Sequence, residues 1–160
     1  MTTTPAKDQV RFHMVTQKIG RIILDQAARR NALTARMWNE LSECVDKAAA
    51  IPELKVLVIT GEGEHFAAGA DISEFSTLYA TAVSSKNISD KIANAIDAIV
   101  NFPKPTIAKI RGACVGGGCG IAMACDIRFS DGTSKFGITP GKLGLVYPFS
   151  DVKRLIQAVG

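Results

Sequence analysis

The chain has 160 residues, of which 47% are hydrophobic and 21% are charged, a balance typical of one globular domain with a hydrophobic core. Its net charge of +4 comes from 19 basic and 15 acidic residues without a dense basic tract, which argues against a nucleic-acid-binding surface. The apolar runs are too short to cross a bilayer, and the N-terminus lacks the apolar stretch of a secretory signal, so a cytoplasmic protein without a membrane segment is predicted.

Residues 1–9 are predicted to form a disordered tail, and residues 10–160 a single core domain. Within residues 10–24 the apolar positions alternate or run together on both sides of Gly20. This pattern predicts a β-hairpin with Gly20 between its two strands. A polar loop follows, and Thr34 is in a position to cap the first helix.

Helices and strands then alternate along the chain. Apolar residues at helical spacing predict helices at about 34–50, 85–102 and 152–159, and small-residue composition predicts a helix that follows the glycine run at 116–118 and ends at about 125. Short β-branched or apolar runs predict strands at 55–60, 106–110, 127–130 and 136–138. This alternation is typical of the α/β class.

The four cysteines are predicted to be reduced packing residues. Cys44, Cys114, Cys119 and Cys125 form no CxxC pair, and the chain has only two histidines that could assist in binding a metal. Three of the four cysteines lie among small apolar residues, where a thiol packs as a small hydrophobic group. We therefore expect no metal site.

Two junctions between a strand and a helix are rich in glycine and alanine, at residues 65–72 and 112–120. Backbone of this kind lets a ligand approach peptide N–H groups closely, although it also suits close packing of a helix on a strand. The second junction begins a helix, where unpaired N–H groups favour negative charge. Two nucleotide motifs fail here, because Ile121 stands where a dinucleotide fingerprint needs glycine or alanine and Gly118 stands where a Walker loop needs lysine.

Taken together, several segments resemble the crotonase superfamily, the enoyl-CoA hydratase/isomerase family. The matching segments, in their usual order, are residues 31–33, 58–61, 66–72, 103–108, 112, 116–119, 122–127, 136–137 and 142–145. The resemblance implies an α/β fold, a crotonase-like spiral of repeated ββα units. Members of the family usually continue beyond the residue that matches Gly160, so the usual C-terminal helical region is expected to be lacking.

The resemblance also implies a site that stabilises the enolate of an acyl-CoA thioester substrate. The backbone N–H groups of Ala68 and Gly117 would form an oxyanion hole, in which each donor can contribute a few kcal/mol. The implied coenzyme A surface consists of Arg29, Leu33, Ala68, Ala70, Asp71 and Ile72. Coenzyme A would enter as part of the substrate, without a tightly bound cofactor, and the protein would form a homo-oligomer, a trimer or a hexamer.

The sequence departs from the family's hydratases at both catalytic glutamates, which are replaced by Gly120 and Pro140. General acid–base catalysis contributes roughly a hundred- to ten-thousand-fold, so hydration by the usual route is not expected. Residues 139–147 are similar to methylmalonyl-CoA decarboxylase-like members, in which a tyrosine that matches Tyr147 orients the substrate carboxylate. A histidine of some of those members aligns with Ala70, so that match is incomplete.

Several alternatives stay open at this point. The reaction is hydration, double-bond isomerisation or decarboxylation of a malonyl-type thioester, and the non-enzyme alternative is a catalytically inactive acyl-CoA-binding fragment. Tyr147 is either catalytic or a wedge packed against the following Pro-Phe pair. The carboxylates left to exchange a proton are Asp71, Glu74 and Asp151, of which Asp71 is more readily explained as a helix cap.

Overall fold

The computed structural model describes residues 9–160, except for the side chains of Lys142 and Leu143. Its strands are β1 (Gln9–Met14), β2 (Ile19–Asp25), β3 (Val56–Gly61), β4 (Thr106–Ile110), β5 (Ala113–Val115), β6 (Ile127–Ser130) and β7 (Lys135–Gly137). Its α-helices are α1 (Ala35–Ala49), α2 (Phe75–Leu78), α3 (Ala82–Val100), α4 (Gly117–Ala124) and α5 (Phe149–Val159). The predicted α/β class is confirmed.

The strands form two sheets. The larger sheet has the order β1-β2-β3-β4-β6, in which only the β1–β2 pair is antiparallel. Strands β5 and β7 form a second, parallel sheet, which an isolated bridge between Ala67 and Cys114 extends. The chain therefore passes twice from the larger sheet to the smaller one and into a helix, as β4-β5-α4 and as β6-β7-α5. These are the repeated ββα units that the resemblance implies.

The predicted N-terminal hairpin is confirmed, but its turn does not lie at Gly20. The pairing runs from Gln9 opposite Asp25 to Met14 opposite Gly20, so the turn covers residues 15–18. Gly20 lies inside β2, where an added Cβ would come within 2.5 Å of Leu54 Cδ1 and 2.8 Å of Phe12 Cε2. Glycine is therefore required at position 20 for close packing and not for a turn.

Side-chain caps set the starts of α1 and α3. Thr34 accepts a hydrogen bond from the Met37 N–H and caps α1, as predicted. Helix α3 starts at Ala82, earlier than the apolar spacing indicates, because Thr81 and Ser84 form a capping box. Gln9, which the sequence assigns to a tail, is the first residue of β1, and the remainder of that predicted tail lies outside the described residues.

The hydrophobic core lies between the larger sheet and helix α1, and α3 packs against α1 and α4. Its largest fully buried side chains include Trp38, Phe66, Leu41 and Ile59. All four cysteines are buried and free, as predicted. Within residues 9–160 no helix is long and apolar enough to cross a membrane. In the same range no group of three or more His, Cys, Asp or Glu side chains could hold a metal ion.

Candidate functional site

A cavity of about 600 Å³ opens where the two glycine-rich junctions meet α3 and the start of α5. The walls have an apolar part and a polar part. The apolar part includes Trp38, Ile72, Phe75, Ile92, Ile96, Leu145 and Pro148. The polar side chains are those of Tyr79, Ser89, Asp97, Thr139, Tyr147, Ser150, Asp151 and Arg154. A mostly apolar cavity with a few convergent polar groups is the usual form of a small-molecule site.

The two junctions touch through their backbones at one end of this cavity. A Cβ added to Gly69 would lie 3.0 Å from the Val115 carbonyl oxygen and 3.5 Å from the Gly117 nitrogen. Gly69 has a φ of +98° and Gly116 a φ of +52°, values that side chains disfavour. Glycine is therefore required at both positions, and it brings two sets of peptide N–H groups together.

Trp38 lies directly beneath the start of α4. A Cβ added to Gly117 would come within 2.8 Å of Trp38 Cζ2. The indole is only 1% exposed, and its Nε1 has no hydrogen-bond partner among the described residues. The glycine run thus allows α4 to pack closely on Trp38. It also leaves backbone N–H groups uncovered by side chains.

The prediction that the Ala68 N–H is an oxyanion donor is wrong. This N–H donates to the Arg30 carbonyl oxygen at 2.9 Å and is not available to a ligand. The neighbouring Ala70 instead forms an isolated parallel bridge with Leu33. Leu33 donates to the Gly69 carbonyl at 2.7 Å, and its own carbonyl accepts from the Asp71 N–H at 2.9 Å.

In this bridge the hydrogen bonds of Leu33 go to the residues on either side of Ala70, so the Ala70 N–H points away from Leu33. It has no partner within the part of the chain that the structure describes. The Gly117 N–H is similarly unpaired there, because the first hydrogen bond of α4 runs from Gly120 to the Gly116 carbonyl. Ala70 and Gly117 both line the cavity.

The Tyr147 side chain lies beside Gly120. A Cβ added to Gly120 would lie 3.8 Å from the Tyr147 Oη. That hydroxyl is buried and has no partner among residues 9–160. Burial, and then the charge of Asp151, raises the pKa of Tyr147, so the phenol keeps its proton at neutral pH. Phe149 is 83% exposed, which leaves little of it to pack against Tyr147 as a wedge.

The residues predicted to bind coenzyme A fall into two groups. Ala68, Ala70 and Ile72 line the cavity, whereas Arg29, Leu33 and Asp71 hold the loop in place. Arg29 Nη1 lies 2.8 Å from Asp71 Oδ2, and the buried Leu33 contributes the backbone bridge.

Asp71 and Glu74 are both structural caps. Asp71 accepts from the Ser73 N–H at 3.0 Å and caps the short 3-10 helix Ile72–Glu74. Burial by itself would raise the pKa of Asp71, but hydrogen bonds from Ser73 and the Arg29 guanidinium outweigh it and lower the pKa overall. Glu74 Oε2 accepts from the Ala35 N–H at 2.7 Å, at the start of α1. Neither residue is among those that line the cavity.

Asp151 is the third candidate carboxylate, and it does line the cavity. Its Oδ1 accepts from Arg154 Nη1 at 2.8 Å, and Arg154 Nη2 lies 3.2 Å from Asp97 Oδ1. Burial raises the pKa of Asp151, Arg154 opposes that shift and Asp97 adds to it. Sequence reasoning missed Arg154, Asp97 and Trp38. Only Arg154 has a signal in the sequence: it lies three residues after Asp151 on a predicted helix, a spacing that allows an ion pair.

A family model described as enoyl-CoA hydratase/isomerase matches residues 15–160. The "Probable enoyl-CoA hydratase" of Bacillus subtilis strain 168 is 40% identical over 130 residues, which are 81% of this chain and 50% of that protein. The mitochondrial methylglutaconyl-CoA hydratase of Mus musculus is 32% identical over 158 residues, or 96% of this chain and 50% of that one. The chain spans about half the length of these curated relatives.

Solved structures agree with this match. An enoyl-CoA hydratase/isomerase family protein from Hyphomonas neptunium has a TM-score of 0.91 and 49% identity, over 94% of this chain and 58% of that chain. An enoyl-CoA hydratase/isomerase (crotonase) from Legionella pneumophila has a TM-score of 0.89 and 29% identity, over 97% of this chain and 60% of that chain. The chain therefore belongs to the enoyl-CoA hydratase/isomerase family of the crotonase superfamily.

Proposed function

We propose that the chain carries the acyl-CoA site of an enolate-forming thioester enzyme, with the N–H groups of Ala70 and Gly117 as its oxyanion hole. The observation that carries this proposal is that both N–H groups lack partners among the described residues and line the same cavity. A thioester carbonyl oxygen gains negative charge as the enolate forms. Two fixed donors would stabilise that charge, each by a few kcal/mol.

The rest of the cavity suits the remainder of an acyl-CoA. Ile92 and Ile96 offer apolar surface to an acyl chain, and Ile72 offers it near the first junction. Coenzyme A would arrive as part of the substrate, and the excess of basic residues favours an anionic ligand. A homo-trimeric or hexameric assembly and a cytoplasmic location stay predictions from the sequence.

Decarboxylation of a malonyl-type thioester is a second candidate, favoured by the Tyr147 hydroxyl beside Gly120, which has no partner within residues 9–160. Loss of carbon dioxide generates the enolate without a glutamate, and the phenol would donate a hydrogen bond to the departing carboxylate. The charge of Asp151 acts against this candidate, because it lies near Tyr147 and would repel a second anion.

Thermal unfolding with acetyl-CoA and butyryl-CoA tests the binding part of the proposal. A ligand at one hundred times its dissociation constant stabilises a protein by about 2.7 kcal/mol, so the melting temperature should rise. No rise with either thioester would refute the proposed site. Binding without turnover of any thioester would identify the chain as an inactive acyl-CoA binder.

Turnover is followed by mass spectrometry with crotonyl-CoA, 3-hexenoyl-CoA and methylmalonyl-CoA, which report hydration, isomerisation and decarboxylation. Gly117→Pro deletes one proposed donor, and circular dichroism checks that the variant folds. Removal of an oxyanion donor typically lowers turnover by about 100- to 1,000-fold. A folded Gly117→Pro protein with unchanged turnover would rule out Gly117 as a donor.

A further inference from the structure

The proposed oxyanion hole holds an enolate but cannot move a proton, and both glutamates of the family's hydratases are absent at Gly120 and Pro140. We propose that Asp151 supplies this missing group and that its single carboxylate catalyses a 1,3-proton shift in a 3-enoyl thioester. This inference rests on the proposed enolate-forming site and names the residue and substrate class that complete it.

Asp151 lies in the first turn of α5 and is 8% exposed, yet it lines the cavity together with Gly117 and Tyr147. Its two oxygens differ in their surroundings. Oδ1 is held by Arg154 at 2.8 Å, whereas Oδ2 has no hydrogen-bond partner in the range that the structure describes. One oxygen thus orients the carboxylate, and the other is available to a substrate proton.

The groups around Asp151 come from two helices and the preceding loop. Arg154 lies one turn further along α5, Asp97 reaches Arg154 from α3, and Tyr147 precedes α5. Arg154 therefore links the two carboxylates and fixes the position of Asp151. With both carboxylates ionised the cluster carries one positive and two negative charges, which disfavours an acyl chain that ends in a carboxylate. A neutral unsaturated acyl chain suits this cavity better.

The proposed proton shift balances with one carboxylate. Asp151 takes a proton from C2 of the 3-enoyl thioester, and the released electron pair moves onto the thioester oxygen. Ala70 and Gly117 hold the resulting dienolate. Asp151 then returns its proton to C4 as the electrons move back, so the C3–C4 double bond is lost and a C2–C3 double bond forms. No water, oxidant or second base is consumed.

Hydration requires two proton transfers in the same cavity. A water molecule must lose a proton as it attacks C3, and C2 must receive one, for which the family's hydratases use two glutamates. Among the described carboxylates that line the cavity, Asp97 is 60% exposed and pairs with Arg154, so Asp151 is the one placed for proton transfer. Burial also raises the pKa of Asp151, which makes its carboxylate a stronger base.

The test compares Asp151→Asn, Asp151→Glu and a matched control, Asp90→Asn, which changes an exposed carboxylate on α3 paired with Lys86. Isomerisation of 3-hexenoyl-CoA is followed by the absorbance of the conjugated thioester and, in deuterium oxide, by label at C2 and C4. Asp151→Asn should lower the rate by about 100-fold or more, with unchanged affinity for butyryl-CoA. Asp151→Glu should restore part of the rate, and Asp90→Asn should match the wild type.

The outcomes separate this inference from the proposal on which it rests. An Asp151→Asn protein that isomerises as fast as the wild type would overturn the role of Asp151 and leave the enolate site standing. A wild-type protein that hydrates or decarboxylates without isomerising would overturn the assigned reaction, again without harm to the enolate site. If no thioester binds, both proposals fail.

Discussion

Replacing Gly117 by alanine tests whether the indole of Trp38 dictates glycine at the start of α4. The new Cβ would lie 2.8 Å from Trp38 Cζ2 and 3.1 Å from Cη2, whereas packed carbon atoms are normally about 3.5–4.0 Å apart. Trp38 is only 1% exposed and packs into the core, so its neighbours hold the ring in place. Either the ring or the first turn of α4 must shift.

Overpacking of this kind typically costs about 1–3 kcal/mol. At about 2–4 °C per kcal/mol for a chain of this size, the melting temperature should fall by roughly 2–12 °C. The measurement is thermal and urea unfolding followed by circular dichroism. Gly132→Ala is the matched control, because a Cβ added there has no heavy atom within 4 Å.

Trp38→Phe should relieve the clash, because it removes the ring atoms that the new Cβ would meet. It also removes Nε1, a buried N–H without a partner in the described part of the chain, which offsets part of the cost of the lost volume. The loss in free energy of unfolding of the double variant Trp38→Phe/Gly117→Ala should therefore be smaller than the sum of the losses of the two single variants, by about 0.5–3 kcal/mol.

Two results would refute this reasoning. If Gly117→Ala melts at the same temperature as Gly132→Ala, the helix start accommodates the methyl group without cost. If the double variant is simply additive, the strain in Gly117→Ala does not come from Trp38.

Three further predictions concern single side chains. Asn31 is buried with a φ of +55° and makes three hydrogen bonds, to the Gln26 N–H and to the carbonyls of Glu62 and His65. Asn31→Ala should therefore lower the free energy of unfolding in urea by about 3 kcal/mol or more, and a loss below about 1 kcal/mol would contradict this. Tyr147→Phe should not lower that free energy, because the hydroxyl is buried without a partner among the described residues; a loss near 1 kcal/mol would reveal one. Burial and, to a smaller extent, Asp97 raise the pKa of Asp151. Asp97→Asn should therefore lower this pKa and move the acid limb of the pH–rate profile for isomerisation to lower pH, and an unmoved limb would exclude Asp151 as the titrating base.

Local patterns in the sequence predicted the elements whose signals are local. The apolar spacing and the cap at Thr34 predicted α1, and the run at 106–110 coincides with β4. Apolar spacing alone places the start of α3 at about residue 85, whereas the Thr81–Ser84 capping box sets it at Ala82. The role of a glycine is ambiguous in a sequence. Composition predicts a turn at Gly20, but glycine is required there because the side chains of Leu54 and Phe12 leave no room for a Cβ.

The sequence by itself determined the family, the two glycine-rich junctions and the presence of Gly120 and Pro140, because each depends only on which residues follow one another. Only the tertiary structure decided which N–H groups lack a partner among the described residues. The Ala68 N–H donates to the Arg30 carbonyl, and the bridge to Leu33 turns the Ala70 N–H away. The tertiary structure also decided which carboxylate lines the cavity. The sequence favours a capping role for Asp71 but does not distinguish Glu74 from Asp151. Long-range packing commits Asp71 and Glu74 to caps and places Asp151 beside the cavity.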